Sequence, residues 1–237
     1  MFNQKIITII LARGGSKGLY KKNLRLLNNE PLITRAIRHV KESGISSEIL
    51  VSTDDEEISN IAKQSGAIVP FIRPEDLSGD LTTTEDSLKH ALIEFEKLKK
   101  IKFDIGVFIT VTDIFRDPIW IKEAVDILIN NPKIESAFSG HKTHKNFWEK
   151  DKNGKWIRLR DWMATYSSRQ IRTPIVREDT GLACASRAYL WREGRRIGDS
   201  IEIITNDDDF TSIDIHNLED LLLAEAALKI RKKKSIS

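Results

Sequence analysis

The chain has 237 residues, 40% of them hydrophobic and 31% charged. This is the composition of a globular protein, and it excludes a disordered or collagen-like chain. The net charge of +3 depends on the basic run 231–234, so the remainder is near neutral and does not indicate a nucleic-acid-binding face. One cysteine, Cys184, excludes an internal disulfide and favours a reducing compartment.

From residue 5 to residue 139, strand-like and helix-like patterns alternate, which is typical of a parallel α/β sheet. The predicted elements are strand 5–11, helix 31–43, strand 48–52, a helix capped by Thr53 or Asp54 and ending at 65, strand 67–71, a long helix after Thr83 and Thr84, strand 104–111, helix 118–130 and strand 134–139.

This alternation stops at His141. Residues 141–181 are aromatic, basic and irregular, with Trp148, Trp156 and Trp162 but no clean period. We interpret them as an inserted arm, and because exposed tryptophans usually need a partner surface, we expect a homodimer. Elements at 186–193, 200–204 and 210–215 and a helix from 217 to 232 complete the pattern. The sequence therefore predicts one domain, 1–237, with a mostly parallel Rossmann-like sheet flanked by helices and a small inserted dimerisation lobe.

No apolar run approaches the roughly 18–20 residues that span a bilayer. Residues 1–11 also lack the apolar core and the cleavage site of a signal peptide. We therefore expect a cytoplasmic protein that binds neither membrane nor nucleic acid.

A glycine-rich basic loop follows the first strand directly. It reads Leu11-Ala12-Arg13-Gly14-Gly15-Ser16-Lys17-Gly18 and continues to Lys21-Lys22-Asn23. Glycines let backbone N–H groups approach an anion, and the cations can neutralise a triphosphate. The loop is not a P-loop, because Ser16 precedes Lys17, and it lacks the G-x-G-x-x-G dinucleotide fingerprint. Its place at the carboxyl end of a parallel strand, where such sheets bind ligands, favours a phosphate site over a plain turn.

Residues 13–18 with Lys22-Asn23 resemble the opening signature of the acylneuraminate cytidylyltransferases, the CMP-sialic acid synthetases, and more loosely that of the CMP-Kdo synthetases. The resemblance implies that Arg13 and Lys22 are catalytic and neutralise the β- and γ-phosphates and the departing pyrophosphate. The implied nucleotide-binding residues of this loop are Ala12, Gly14, Gly15, Ser16, Lys17 and Asn23. Residues 73–80 resemble the family's R-P-x-x-L-x-x-D segment, which implies that Arg73 also binds the nucleotide, a loop arginine paired with Glu75 or Asp76 being the alternative. Of these, Asn23 and Arg73 would address the ribose and the base.

The segment 109–116 occupies the place of the family's L-Q-P-T-S-P-L-R. Thr112 and Arg116 match, whereas Thr110 replaces the usual Gln, which leaves the exact sugar open. Thr110 and Arg116 are the implied substrate-binding residues here, and Asp113 either adds a ligand or pairs with Arg116.

Two further segments resemble the family. Ser168-Arg169-Gln170 is similar to its R-R-Q segment, which implies that Arg169 and Gln170 bind the acidic sugar near the dimer interface, a plain interface arginine being the alternative. Residues 210–220 fall where the family has I-D-I-D-x-x-x-D, whose two Asp residues hold Mg²⁺. Asp214 matches and is the implied metal ligand and a catalytic residue, but His216 replaces the second Asp, and histidine suits Mg²⁺ poorly.

The predicted reaction is transfer of CMP from CTP to a sialic-acid-like nine-carbon 2-keto sugar acid, with Mg²⁺ as cofactor and release of pyrophosphate. One alternative is another acceptor, either a Kdo-, legionaminic- or pseudaminic-like acid or a sugar phosphate, with another nucleoside triphosphate. A second is a non-catalytic nucleotide-binding regulator. An NAD-dependent dehydrogenase is disfavoured, because the dinucleotide fingerprint is absent.

Overall fold

The computed structural model describes residues 4–45 and 47–234, and strands and helices alternate through its first half, as the sequence predicts. The strands are β1 (Ile6–Leu11), β2 (Leu26–Leu27), β3 (Glu30–Pro31), β4 (Ser47–Ser52), β5 (Ile105–Ile109), β6 (Ser136–Thr143), β7 (Trp148–Lys150), β8 (Trp156–Arg158), β9 (Ile175–Glu178), β10 (Cys184–Arg187) and β11 (Ile201–Asn206). The α-helices are α1 (Leu32–Glu42), α2 (Glu56–Gln64), α3 (Thr84–Lys99), α4 (Pro118–Asn130), α5 (Ala188–Arg192) and α6 (Leu218–Lys234).

The main sheet of the described chain has seven strands. Six of them lie in the order β11-β6-β10-β5-β1-β4, and β9 pairs with β6 beside this path. β1 is parallel to both β4 and β5, and β11 is parallel to β6. β10 runs antiparallel between β5 and β6. The prediction of a mostly parallel sheet flanked by helices is confirmed.

Helices cover both faces of this sheet, which is why β1 and β5 are apolar on successive residues rather than on alternate ones. On one face, α1, α2, α4 and α6 contribute apolar residues such as Ile37 and Leu221 to the larger core. On the other face, Leu92 of α3 and Trp191 of α5 belong to a second core with Ile9 of β1 and Phe108 of β5. Within the described residues, no helix is both long enough and apolar enough to cross a membrane.

The aromatic segment leaves the sheet as the connection of a long hairpin. β9 and β10 pair antiparallel with successive halves of β6, so residues 144–174 form the excursion, which contains the small hairpin β7–β8. The excursion is narrower than the predicted arm 141–181, because β6 and β9 continue the sheet at both of its ends.

Two predicted strands are wrong. The segment 67–71 makes one bridge, between Ile68 and Leu50, because Pro70 has no N–H to extend the ladder. The segment 210–215 instead forms the 3₁₀ helix Asp209–Ser212. The Asp208 carboxylate accepts the N–H of Phe210 at 3.0 Å, and this local capping competes with strand pairing.

Candidate active site

A cleft of about 540 Å³ opens at the carboxyl ends of β1 and β5. It is lined by the glycine-rich loop, by segment 73–84, by the end of β5 and by His216. A larger groove, of about 1110 Å³, lies at the amino ends of the strands beside Lys5 and Glu48. Parallel sheets bind ligands at their carboxyl ends, so the smaller cleft is the candidate site.

Hydrogen bonds made by its backbone groups hold the glycine-rich loop in place. The N–H of Ala12, which is fully buried, donates to the Ser52 carbonyl at 3.0 Å. The N–H of Gly14 donates to the Asp54 carboxylate at 2.8 Å, and the buried Asn23 amide donates to the Arg13 carbonyl at 2.9 Å. Asn23 lines the cleft, but the bond that it makes in this structure is one that shapes the loop.

The cations Arg13 and Lys17 both contact the carboxylate of Asp80. Arg13 Nη1 lies 3.0 Å from Asp80 Oδ1, and Lys17 Nζ contacts Oδ2. The hydrogen bond from Lys17, followed by that from Arg13, lowers the pKa of Asp80. Asp80 therefore gives both cations an anionic partner that a phosphate group would have to replace.

Lys22 and Arg73 are the more buried cations of the cleft. Burial lowers the pKa of Lys22, and Asp214 opposes that shift. Arg73 is only 4% exposed; its Nε donates to Ser78 Oγ at 3.3 Å, and its Nη2 lies 3.9 Å from Asp54 Oδ1. With Ser16, Lys17 and Asn23, these residues line one cleft. The other predicted nucleotide residues, Ala12, Gly14 and Gly15, belong to the same loop but do not line the cleft.

Thr110 and Arg116 hold the end of β5 to the loop before β10. Thr110 Oγ1 donates to Asp113 Oδ2 at 2.6 Å. Arg116 is 3% exposed and donates to the carbonyls of Leu182, Thr110 and Gly181 at 2.7, 2.6 and 2.7 Å. Burial lowers the pKa of Arg116 to about 10, and Asp113 opposes the shift. Thr110 lines the cleft, whereas Arg116 lies behind its wall.

Two carboxylates meet beside the cleft. Asp113 and Asp214 form an isolated antiparallel bridge, and Asp214 Oδ1 is buried without a hydrogen-bond partner in the described part of the chain. Burial, followed by the charge of Asp214, raises the pKa of Asp113. Within residues 4–45 and 47–234, no cluster of three or more His, Cys, Asp or Glu side chains could hold a metal ion alone. A divalent cation here would need oxygen ligands from a bound molecule as well.

His216 is exposed and bonded mainly to its own neighbours. Its Nε2 lies 3.2 Å from Asp214 Oδ2, and its backbone N–H donates to Asp220 Oδ2 at 2.8 Å. Its carbonyl oxygen is close to Gly18, at which an added Cβ would lie 2.5 Å from that oxygen. His216 thus connects segment 214–220 to the glycine-rich loop.

Arg169 and Gln170 are exposed residues of the arm. They lie near a turn in which the Ile171 N–H donates to the Ser168 carbonyl at 3.2 Å, and neither lines the cleft of its own chain. Their predicted contact with the sugar stays a prediction that depends on a second chain.

The structure adds two groups that the sequence patterns did not assign. Asp54 links the Gly14 N–H to Arg73, and its position directly after β4, at the carboxyl edge, is the signal that could have shown it. Hydroxyls at the start of α3 also line the cleft: Thr82, Thr83, Thr84 and Ser87.

Part of the sequence is similar to enzymes named for their activity. Over 123 residues the chain is 39% identical to the CMP-N,N'-diacetyllegionaminic acid synthase of Legionella pneumophila, which covers 52% of this chain and 53% of that protein. Over 141 residues it is 33% identical to the N-acylneuraminate cytidylyltransferase of Escherichia coli, covering 60% of this chain and 32% of that protein. The matched part spans about half or less of the length of these curated relatives.

Solved structures share the fold at lower identity. A CMP:2-keto-3-deoxy-manno-octonic acid synthetase complexed with CTP superposes with a TM-score of 0.70 at 14% identity, covering 96% of this chain and 100% of that chain. A cytidylyltransferase from Leptospira borgpetersenii superposes with a TM-score of 0.63 at 16% identity, covering 96% of this chain and 88% of that one. The cytidylyltransferase family profile matches residues 7–225. Since this profile covers most of its length, the chain belongs to the cytidylyltransferase family.

Proposed function

We propose that this protein transfers CMP from CTP to a 2-keto sugar acid and releases pyrophosphate. The observation that carries the proposal is the convergence of Arg13, Lys17, Lys22 and Arg73 on one cleft. Nearby, Asp113 and Asp214 pair through their backbones and line a second cavity. The cations suit a triphosphate, and the carboxylates suit a divalent cation.

In this reaction the anomeric oxygen of the acceptor bonds to the α-phosphorus of CTP while the bond to the β-phosphate oxygen breaks, and the hydroxyl proton is released. Catalysis is mostly positioning and charge stabilisation. Arg13 and Lys22 neutralise the pyrophosphate as it leaves, and the Ser16 hydroxyl holds a phosphate oxygen. The N–H groups of Ala12, Gly14 and Ser16 are engaged within the protein, so the other loop N–H groups are the ones that face phosphate. Buried Arg73 faces the nucleoside end, next to the hydroxyls of segment 78–87.

Mg²⁺ fits the residues present. Asp214 Oδ1 is a buried carboxylate oxygen without a partner, and hard oxygen ligands are those that Mg²⁺ prefers. Asp214 with Asp113 would hold the ion on the protein side, whereas His216 supplies only nitrogen, a poor ligand for it. When bound, the ion would neutralise charge on the phosphates.

The acceptor is a sialic-acid-like nine-carbon acid. The names of the relatives support this class, since those proteins act on legionaminic and neuraminic acids and another acts on pseudaminic acid. The eight-carbon Kdo is the second candidate, favoured by the neighbour of similar fold. Thr110, in place of the family's Gln, alters the wall beside the acceptor.

A homodimer and a cytoplasmic location belong to the same proposal. The arm exposes Trp156 and Tyr166 to 60% and 72%, which supports a partner surface. CTP is a cytoplasmic metabolite, and Cys184 is a buried free thiol.

The test is a panel of the four ribonucleoside triphosphates against neuraminic, legionaminic, pseudaminic and Kdo acids, with Mg²⁺ and with pyrophosphate as the readout. CTP with a nine-carbon acid should give the largest kcat/KM, and mass spectrometry should detect the CMP-sugar. The Arg13→Ala variant should lose at least about 100-fold in kcat/KM, since a cation that stabilises transferring phosphate is removed.

Arg25→Ala is the matched control, because this exposed arginine donates to the Tyr20 carbonyl outside the cleft; it should keep nearly full activity. Binding of CTP without pyrophosphate release from any pair would indicate the non-catalytic regulator instead. Near-normal turnover of Arg13→Ala would contradict the assigned role of the loop.

A further inference from the structure

Arg196 lies beside Phe108, the next-to-last residue of β5. Its guanidinium carbon is 5.8 Å from the centroid of the Phe108 ring, and Phe108 lines the cleft. On its other side, Arg196 Nη2 approaches Glu178 at 3.6 Å. Glu178 lines a second cavity, of about 250 Å³, together with Asp113 and Asp214. Arg196 lines neither cavity itself, but it contacts Phe108 of the cleft and Glu178 of the second cavity.

Among the described residues, the carboxylates that pair with this guanidinium lie beyond the distance of a close hydrogen bond. Nε is buried and lacks a hydrogen-bond partner in the described part of the chain. The nearest carboxylate oxygens, from Glu85 and Glu178, are 3.5 and 3.6 Å away, beyond the 2.7–2.9 Å typical of charge-assisted hydrogen bonds. A mostly buried cation with an unmet N–H group carries an energetic cost that a bound anion would relieve.

Two other arginines on this side are already occupied. Arg116 serves three carbonyls at 2.6–2.7 Å. Arg177 makes a bidentate pair with Asp179 at 2.7 and 2.8 Å. Of these three arginines, Arg196 is the one for which the described residues supply no close hydrogen-bond acceptor.

The glutamates beside Arg196 can release it. The Glu85 and Glu178 side chains are 33% and 49% exposed, compared with 25% for Arg196. Glu85 also lies in the first turn of α3, where the helix dipole favours a carboxylate without help from a cation. Both carboxylates can therefore turn to water when another anion approaches the arginine.

We infer that Arg196 binds the carboxylate of the acceptor sugar acid, an inference that rests on the proposed function. CTP takes the cations on the loop side, so an acceptor that reaches the α-phosphate must come from the Phe108 side. A carboxylate there needs a fixed cation, and a guanidinium recognises it bidentately. This places the group that selects acids over neutral sugars on the segment after α5.

The backbone around Arg196 is held without its side chain. Its carbonyl accepts Ser186 Oγ at 2.7 Å and Trp191 Nε1 at 3.1 Å. An Arg196→Gln variant should therefore keep its melting temperature, and any change in the kinetics should report the guanidinium itself.

The experiment measures steady-state kinetics of the Arg196→Gln protein with CTP and the best acid of the panel, and with the carboxamide analogue of that acid. We expect KM for the acid to rise at least about tenfold while KM for CTP changes less than about twofold. The wild type should prefer the acid to the carboxamide, and the variant should lose most of that preference. Arg196→Lys keeps the positive charge but not the two parallel N–H groups of the guanidinium. Its KM for the acid should lie between those of the wild type and Arg196→Gln.

Arg195→Gln is the matched control, because this neighbour is 43% exposed and pairs with Asp199 at 2.9 Å; its kinetics should match the wild type. An unchanged KM for the acid in Arg196→Gln, or an equal loss with the carboxamide, would overturn the inference while the proposed function stands. If the wild type transfers CMP to no acid, the proposed function fails and this inference falls with it.

Discussion

Gly14, Gly15 and Gly18 meet different surroundings in the loop. A Cβ added at Gly14 would lie 2.8 Å from an oxygen of Asp55, and one at Gly18 would lie 2.5 Å from the carbonyl oxygen of His216. An added Cβ at Gly15 meets nothing within 4 Å. Packing within the protein therefore explains two of these glycines. The third faces open space, which is where the proposed function has a phosphate approach the backbone.

This difference predicts opposite behaviour for two alanine variants. Gly18→Ala should lower the free energy of unfolding by about 1–3 kcal/mol, because the His216 carbonyl must move. Gly15→Ala should leave the stability within about 0.5 kcal/mol and raise KM for CTP about tenfold, because its methyl group enters the phosphate space. Urea unfolding and steady-state kinetics on both proteins check this. A destabilised Gly15→Ala protein with normal KM would contradict the assignment.

At the scale of single residues, the sequence predicted which residues lie near the site, but it did not predict which groups they contact. The motifs placed Arg13, Lys22 and Arg73 around one cleft. The loop after β1 and the end of segment 67–71, which bridges to β4, meet at the same edge of the sheet. The motifs could not show that Arg116 is held by three backbone carbonyls or that Asn23 bonds the Arg13 carbonyl. Such partners are distant in sequence, and a motif fixes residue type without fixing what the side chain contacts.

At the scale of elements, the buried face of α1 carries an unusual group. His39 is 6% exposed, and its Nδ1 is buried without a partner in the described residues. Burial, followed by the charges of Arg116, Arg38 and Arg35, lowers the pKa of His39 to about 2. His39 is therefore neutral in the folded protein at every pH near neutrality.

The stability of the protein should fall in acid because of this histidine. An unfolded histidine has a pKa near 6.5, so between about pH 6.5 and pH 2 the unfolded chain binds one more proton than the folded chain. The contribution of His39 is constant above pH 6.5 and costs about 1.4 kcal/mol for each pH unit below it. Between pH 7.5 and pH 5.5, His39→Leu should therefore lose about 1.4 kcal/mol less stability than the wild type.

Urea unfolding of both proteins at the two pH values measures that difference, and the titration of all other groups cancels in it. Equal losses in the two proteins would show that His39 is not buried neutral as the structure has it.

The clearest predictions from the sequence are the elements in which the apolar pattern persists over many residues. α1, α4 and α6 and the strands β1, β4 and β5 follow directly from their patterns. The segment 210–215 read as a strand because Ile213 and Ile215 alternate with polar residues, yet the capping side chain of Asp208 turns it into a 3₁₀ helix. Short segments are decided by such local hydrogen bonds, to which periodicity is blind.

At the scale of the whole molecule, the arm is the part that a single chain leaves incomplete. Tyr166 and Ile171 are 72% and 77% exposed. Trp148 and Trp156 are each covered on one face by a cation, from Arg158 at 4.4 Å and from Lys150 at 5.3 Å, yet both stay about half exposed or more. Aromatic residues beside arginine are the composition that is enriched in the cores of protein interfaces.

We therefore expect the protein to sediment at micromolar concentration with twice the 27.1 kDa mass of one chain. The double variant Tyr166→Glu with Ile171→Glu should shift it to the monomer, because two charges would be buried without partners at the interface. It should also raise KM for the acid, since Arg169 and Gln170 lie between these positions and would no longer reach a second chain.

Leu222→Glu is the control: Leu222 is 56% exposed on α6, and this variant should remain a dimer. A monomeric Leu222→Glu protein with a dimeric arm variant would move the interface from the arm to α6, and a monomeric wild type would remove the dimer from the proposal.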